Sequence, residues 1–263
     1  MNLPLAEGGF AMSGHSKWAT IKHQKGAADA KRGQLFTKLS REIIFAARAG
    51  GGNPEGNSRL RLAIQKAKDA RMPGDNIERA IKKGEGNLEG QQMFEASYEG
   101  YGPGGAAVMV DIVSDNRNRA VQELRSAFTR AGGNLGETGS VAWMFEAKGI
   151  IGVQAEGKDI DDITMKAIDA GADDVSLQGE YIEICTKPAE LESVRKGLEQ
   201  AGVEVESAEL AKVANTTISL DEHTAFGVLR MLDRLEEMDD VQNVYHNVDI
   251  PDAVMEKYQS EMK

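Results

Sequence analysis

The chain has 263 residues, 41% hydrophobic and only 5% aromatic, which at about 150 residues per domain suggests one to three packed domains. Its longest apolar runs are strand-sized, as in Ala106 to Val110, and its one cysteine is Cys185, so helical membrane spans of roughly 20 residues and intramolecular disulfides are both excluded. The formal charge of −11 hides a division: residues 13–90 hold 16 basic and 8 acidic side chains, whereas residues 91–263 hold 15 and 33.

The start, Met1-Asn2-Leu3-Pro4-Leu5-Ala6-Glu7, lacks the basic n-region and apolar run of a signal peptide, which with the lone cysteine leads us to expect a cytoplasmic protein. Residues 1–12 read as an unstructured extension. The basic helical domain is expected over 13–90. Within it, Ser16 to Lys25 interleaves Trp18 with Lys17, Lys22 and Lys25; lysines neutralise phosphates and an exposed indole stacks on an unpaired base. The bland alternative is that Trp18 and Ile21 pin this arm to the bundle.

Ala27 to Ala49 has no proline and one glycine, Gly33, and reads as a helix. At 100° per residue, Leu35, Phe36, Leu39, Ile43, Ala46 and Ala47 share one sector, while Lys31, Lys38, Arg41 and Arg48 fall opposite. Gly50-Gly51-Gly52 and Pro54 stop it. Asn57 or Ser58 is expected to cap a second helix with Leu60, Ile64 and Ala67 inward and Arg59, Lys66 and Lys68 available outside, and Asp75 or Asn76 a third that closes at Gly84.

Beyond a glycine-rich stretch, the pattern changes to strands and helices in alternation. Strands are predicted at 96–99, 106–113, 140–146, 150–154, 174–177, 181–186, 206–220 and 241–248. Helices are predicted at 117–131, 160–169, 190–201 and 223–237. The fold class is α+β: a helical bundle followed by two ferredoxin-like domains, one inserted in the other. The expected division is 91–132 plus 207–263 for one α+β domain and 133–206 for the insert. A plain tandem is the alternative.

Local chemical motifs lose their force in context. Gly100 to Gly105 matches G-x-G-x-x-G, but a strand follows where a dinucleotide fold needs a helix, so a hairpin turn is expected. Gly51 to Ser58 has Walker spacing with Asn57 in place of the lysine. Four scattered histidines and one cysteine build no zinc set, no catalytic triad is written, and no cofactor is implied. The carboxylates around Asp159, Asp161 and Asp162, and from Glu236 to Asp240, read as solvated helix ends. A metal-dependent hydrolase using Asp161 or Asp239 in an acidic cleft is the enzymatic alternative. At the helix start after Ser114, Arg117 and Arg119 are candidate anion ligands beside free N–H groups, with Asp115 as a plain N-cap.

Several segments together resemble the YebC/PmpR family. They are Ser13-Gly14-His15-Ser16-Lys17-Trp18-Ala19-Thr20-Ile21-Lys22-His23, Lys31-Arg32-Gly33, Phe36-Thr37-Lys38-Leu39, Asn57-Ser58-Arg59-Leu60-Arg61, Met72-Pro73, Asp75-Asn76-Ile77-Glu78-Arg79-Ala80-Ile81, Tyr98 to Gly105, Asp115 to Arg119 and Gly139 to Phe145. The resemblance implies a helical N-terminal domain and two α+β domains around a cleft. It further implies a non-enzymatic regulator of gene expression. Bacterial members are described as probable DNA-binding transcriptional regulators, and mitochondrial relatives as translational activators. Ribosome-associated roles in relieving stalling on difficult nascent sequences are also attributed to the family. The expected nucleic-acid contacts are Lys17, Trp18, Lys22, Lys25, Lys31, Lys38, Arg41 and Arg48, with DNA or ribosomal RNA as partner. The acidic remainder, repelled from phosphates, is expected either to orient the docked protein or to meet a protein partner.

Overall fold

The computed structural model describes residues 29–86, 93–178 and 181–261. Helix α1 (Asp29–Gly50) ends where Gly51 takes a left-handed φ of 85° and donates its N–H to Ala47 O at 2.8 Å, the usual glycine stop. Helix α2 (Ser58–Asp69) is capped by Asn57, whose side chain accepts from the Leu60 N–H. Leu39, Ile43, Leu60, Ala63, Ala67, Ile77 and Ala80 form the core of this unit.

Helix α3 (Gly74–Glu85) corrects two expectations. Pro73 stands at its N-cap with no side-chain cap bond, and the helix runs through Gly84 to Glu85. Gly84 is there for packing rather than termination. A Cβ at this position would lie 2.6 Å from Ile44 O and 2.7 Å from Ala47 Cβ, so only glycine lets α3 lie against α1 this closely.

Strands β1 (Phe94–Tyr101) and β2 (Ala107–Ser114) form an antiparallel hairpin. The G-x-G-x-x-G segment is its turn: Pro103–Gly105 is one 3₁₀ turn, with Gly104 and Gly105 at positive φ. Helix α4 (Arg117–Arg130) and the two-residue strand β3 (Asn134–Leu135) follow. Strand β4 (Phe145–Gln154) is continuous where the sequence suggested two pieces, and residues 136–144 form a loop before it. Next come α5 (Ile160–Asp169), β5 (Asp174–Gln178), β6 (Tyr181–Thr186), α6 (Leu191–Gln200) and β7 (Ser207–Ala214). The chain finishes with β8 (Ile218–Ser219), α7 (Glu222–Glu236), β9 (Val241–His246), β10 (Val248–Asp249) and α8 (Asp252–Glu261).

Two four-stranded antiparallel sheets result, in the orders β3-β1-β2-β9 and β5-β6-β4-β7. The second is a βαββαβ unit with ferredoxin-like strand order. The first is discontinuous, since β9 joins it after the whole second sheet has been made. Two boundaries shift relative to the sequence reading. Strand β7 pairs with β4 along its length, so it belongs to the middle unit and not the outer one, while β3 pairs with β1 and belongs to the outer sheet.

In the outer unit Val108, Val110 and Ile112 pack against Leu124, Phe128, Leu229 and Leu232. Helix α8, absent from the predicted elements, closes this core with Met255 and Tyr258, and the Tyr258 hydroxyl donates to Asp233 at 2.7 Å. Ile151, Val153, Ile182, Ile184, Val194 and Leu198 fill the middle unit. Ala107, Met109 and Tyr245 on the outer sheet meet Ala211 and Ile150 of the middle one, so the sheets' helix-free faces make the contact between units. No described helix is long and apolar enough to cross a membrane.

Candidate nucleic-acid interface

Of the residues expected to contact nucleic acid, Lys17, Trp18, Lys22 and Lys25 lie outside the described residues. Lys31 lies in α1. Lys38 and Arg41 are corrected. Lys38 is only 8% exposed and donates to the Glu236 carbonyl at the end of α7, next to Gln34, which donates to the Glu237 carbonyl. Helix C-terminal carbonyls have no intrahelical donor, and a cation there also complements the helix dipole. Arg41 pairs with the buried carboxylate of Asp240. The polar side of α1 thus packs against the outer unit. Arg48 is half-buried and engaged.

Arg117 and Arg119 are also accounted for within the fold. Asn116, not Asp115, caps α4 by accepting from the Arg119 N–H. Arg119 pairs with Asp115 at 2.8 Å and Asp240 at 2.9 Å, and the Arg117 guanidinium lies 5.2 Å from the Phe94 ring centre. The Arg119 hydrogen bond holds the Asp115 carboxyl below its ordinary range.

Other cations of the helical unit face solvent, Arg32 on α1 and Arg79 on α3 among them. Arg61 and Lys68, one heptad apart on α2, are exposed, as are Arg71 in the turn after it and Lys83 on α3. No described carboxylate lies within ion-pair distance of these four, although Lys82 reaches Glu78 at 4.0 Å. Arg71 is held at φ 57° and is the one non-glycine residue with positive φ among those described. Its N–H bonds to Lys68 O at 2.8 Å and the Met72 N–H to Ala67 O at 2.9 Å, the Schellman pattern in which glycine ordinarily takes this place. Lys68 was expected on the outer side of this helix, and for Arg61 the signal available in the sequence was its place one heptad before Lys68. Arg71 carried none, because its special character lies in its backbone angle.

The opposite face of α2 borders a cleft of about 430 Å³ shared by all three units, lined by Glu42, Arg59, Lys66, Asp111, Glu209, Lys212 and Tyr245 among others. Its cations are matched in turn: Arg59 with Glu95, Lys66 with Glu209 at 3.1 Å, and Lys212 with Asp111 at 2.6 Å. Burial alone would lower Lys66, but Glu209 and Glu42 reverse this and raise it above its ordinary range. The Arg59 guanidinium also stacks 4.7 Å from the Phe45 ring centre. This cleft is an electrostatic seam between units, with its positive charge already neutralised.

On the helix-free face of the middle sheet, burial raises Glu183 to about 8 and the Cys185 thiol to about 12, leaving Cys185 a poor nucleophile at neutral pH. The acidic clusters serve the fold. Asp159 caps α5 by accepting from the N–H groups of Asp161 and Asp162, and Asp162 pairs with Lys166 at 2.7 Å. Among the described residues no three His, Cys, Asp or Glu side chains are placed to hold a metal ion.

Fold and charge together define a three-unit α+β protein with a cationic helical head and an anionic body. The family model described as TACO1/YebC protein N-terminal domain matches residues 16–87, and that described as TACO1/YebC second and third domain matches 93–248. The chain belongs to the TACO1/YebC family. It is 62% identical over 250 residues to a protein of Dehalococcoides mccartyi (strain CBDB1) named "Probable transcriptional regulatory protein", covering 95% of this chain and all of that one. A relative of the same description in Geotalea uraniireducens is 55% identical over 246 residues, covering 94% of this chain and 99% of the other. The crystal structure of a conserved hypothetical protein, Aq1575 of Aquifex aeolicus, is similar with a TM-score of 0.83 and 52% identity, over 89% of this chain and 97% of that one.

Proposed function

We propose that this protein is a non-enzymatic regulator of gene expression that docks on nucleic acid through its helical unit. The observation carrying the reading is a group of exposed cations with no carboxylate partner among the described residues, Arg61, Lys68, Arg71 and Lys83, on a unit attached to a body whose residues 91–263 sum to −18. Lys17, Lys22 and Lys25 extend the basic set in sequence. Phosphates attract the first surface and are repelled by the second, so the charge division orients the docked protein. The naming of the relatives as probable transcriptional regulatory proteins supports the regulatory role.

The contacts favoured are to the backbone. Helix α3 follows α2 after a short turn, but Asp75 and Glu78 lie at its start, where a major-groove recognition helix needs donors for base edges. This supports shape reading, as at structured RNA, over operator readout.

The test is binding of a labelled RNA hairpin and a labelled DNA duplex to the wild type and to an Arg61→Glu/Lys68→Glu/Arg71→Glu variant across a salt series. If each cation neutralises one phosphate, the variant's salt slope against duplex falls by roughly 3. An unchanged slope overturns the reading, and the tighter of the two probes identifies the class of target.

A further inference from the structure

Trp143 is 70% exposed, the most of any large hydrophobic side chain among the described residues. The chain around it is nevertheless firmly held. The Glu99 carboxylate, 4% exposed, accepts from the backbone N–H groups of Gly139 at 2.7 Å, Val141 at 2.8 Å and Ala142 at 2.8 Å. Burial disfavours the charged form, yet these three bonds outweigh it and hold Glu99 below the usual carboxylate range. The Tyr101 hydroxyl donates to Ser140 O at 3.0 Å, and the Trp143 Nε1–H donates to the same carbonyl at 3.2 Å. Val141 on one side and Phe145 on the other pack into the inter-sheet core.

The indole is therefore preorganised at the surface, and ordering a ring already in place costs little on binding. The exposed charges of this loop and the start of β4 are Glu137 and Glu146, and nearby Lys148 is paired with Glu146 at 3.3 Å.

We propose that Trp143 anchors a protein-docking surface that takes a cationic side chain, arginine foremost, from a basic segment of a partner protein. The guanidinium lies over the indole while Glu137 supplies the complementary charge. A nucleic-acid strand also offers rings to stack on an indole, but its phosphates would meet Glu137 and the anionic body, so charge favours the basic peptide. The surface is distinct from the helical unit, and its failure leaves the docking reading above untouched.

The test uses the full chain with its tryptophans replaced by 5-fluorotryptophan, the Trp143 resonance being identified by its loss in Trp143→Phe. Octa-arginine, octa-lysine and a single-stranded oligo(dT) are the probes, at near-physiological salt. Octa-arginine is expected to shift the Trp143 resonance and to bind several-fold tighter than octa-lysine. Trp143→Ala is expected to weaken octa-arginine about tenfold with an unchanged melting temperature, and Glu137→Gln to weaken it less. Equal octa-arginine affinity with and without Trp143 overturns the proposal. So does a resonance that responds to oligo(dT) and not to the peptide.

Discussion

Arg41, in the helical unit, pairs with one oxygen of the buried Asp240 carboxylate; the other oxygen takes Arg119 at 2.9 Å and the Ser114 hydroxyl at 2.8 Å. One acid thus joins helix α1 to the outer sheet across 199 residues of chain. Removing it leaves a half-buried guanidinium without its counter-charge. Asp240→Ala is expected to lose about 3 kcal/mol in urea unfolding, and a cycle with Arg41→Ala to show coupling of about 1 kcal/mol or more. Additive losses would mean that the pair does no joint work.

Arg71 sits where the backbone favours glycine. Arg71→Gly is expected to stabilise the protein by about 1 kcal/mol, because an L side chain in the left-handed region costs about that much. It should weaken nucleic-acid binding at the same time. Higher stability together with unchanged affinity would reduce Arg71 to an unexplained local strain.

Gly84→Ala provides the opposite case. Alanine gains up to about 1 kcal/mol of helix propensity, but its Cβ collides with the Ile44 carbonyl and Ala47, and overpacking costs about 1–3 kcal/mol. The expected net is a loss of stability, read as a lower melting temperature.

Glu183 links stability to pH. Its carboxyl is raised to about 8 by burial, with Glu209 and Asp174 adding to the rise, so between its ordinary value and about 8 the unfolded chain releases a proton that the folded one keeps. Stability from this group therefore falls as pH rises through that window and is level above it. Glu183→Gln should remove the slope, gaining a few kcal/mol over wild type at pH 8 and much less at pH 5. Urea midpoints at the two pH values measure it.

Much of the fold could be read before any coordinates. The inward stripe Leu39, Ile43, Ala46 and Ala47 is buried as the wheel placed it, because a period of 3.6 residues is a local property. The glycine stop at residues 50–52 and the hairpin at Gly100–Gly105 follow equally from local backbone sterics. Leu35, 38% exposed, and Lys38, buried, invert the wheel. A wheel allots one apolar face to one neighbour, whereas α1 has the bundle on one side and the end of α7 on another.

The candidate site was less legible. The charge division between residues 13–90 and the remainder is a count and needs no structure. Which cations remain free for a partner is a question of distance. Lys38 and Arg41 looked as available as Lys68 until the docking of α1 brought Glu236 and Asp240 to them, and Glu99 gave no sign of holding the loop that carries Trp143. Periodicity, turns and net charge arise from neighbours a few residues apart, so the chain carries them openly. Ion pairs and anchored loops join groups far apart along it, and they exist only once the three units have closed on one another.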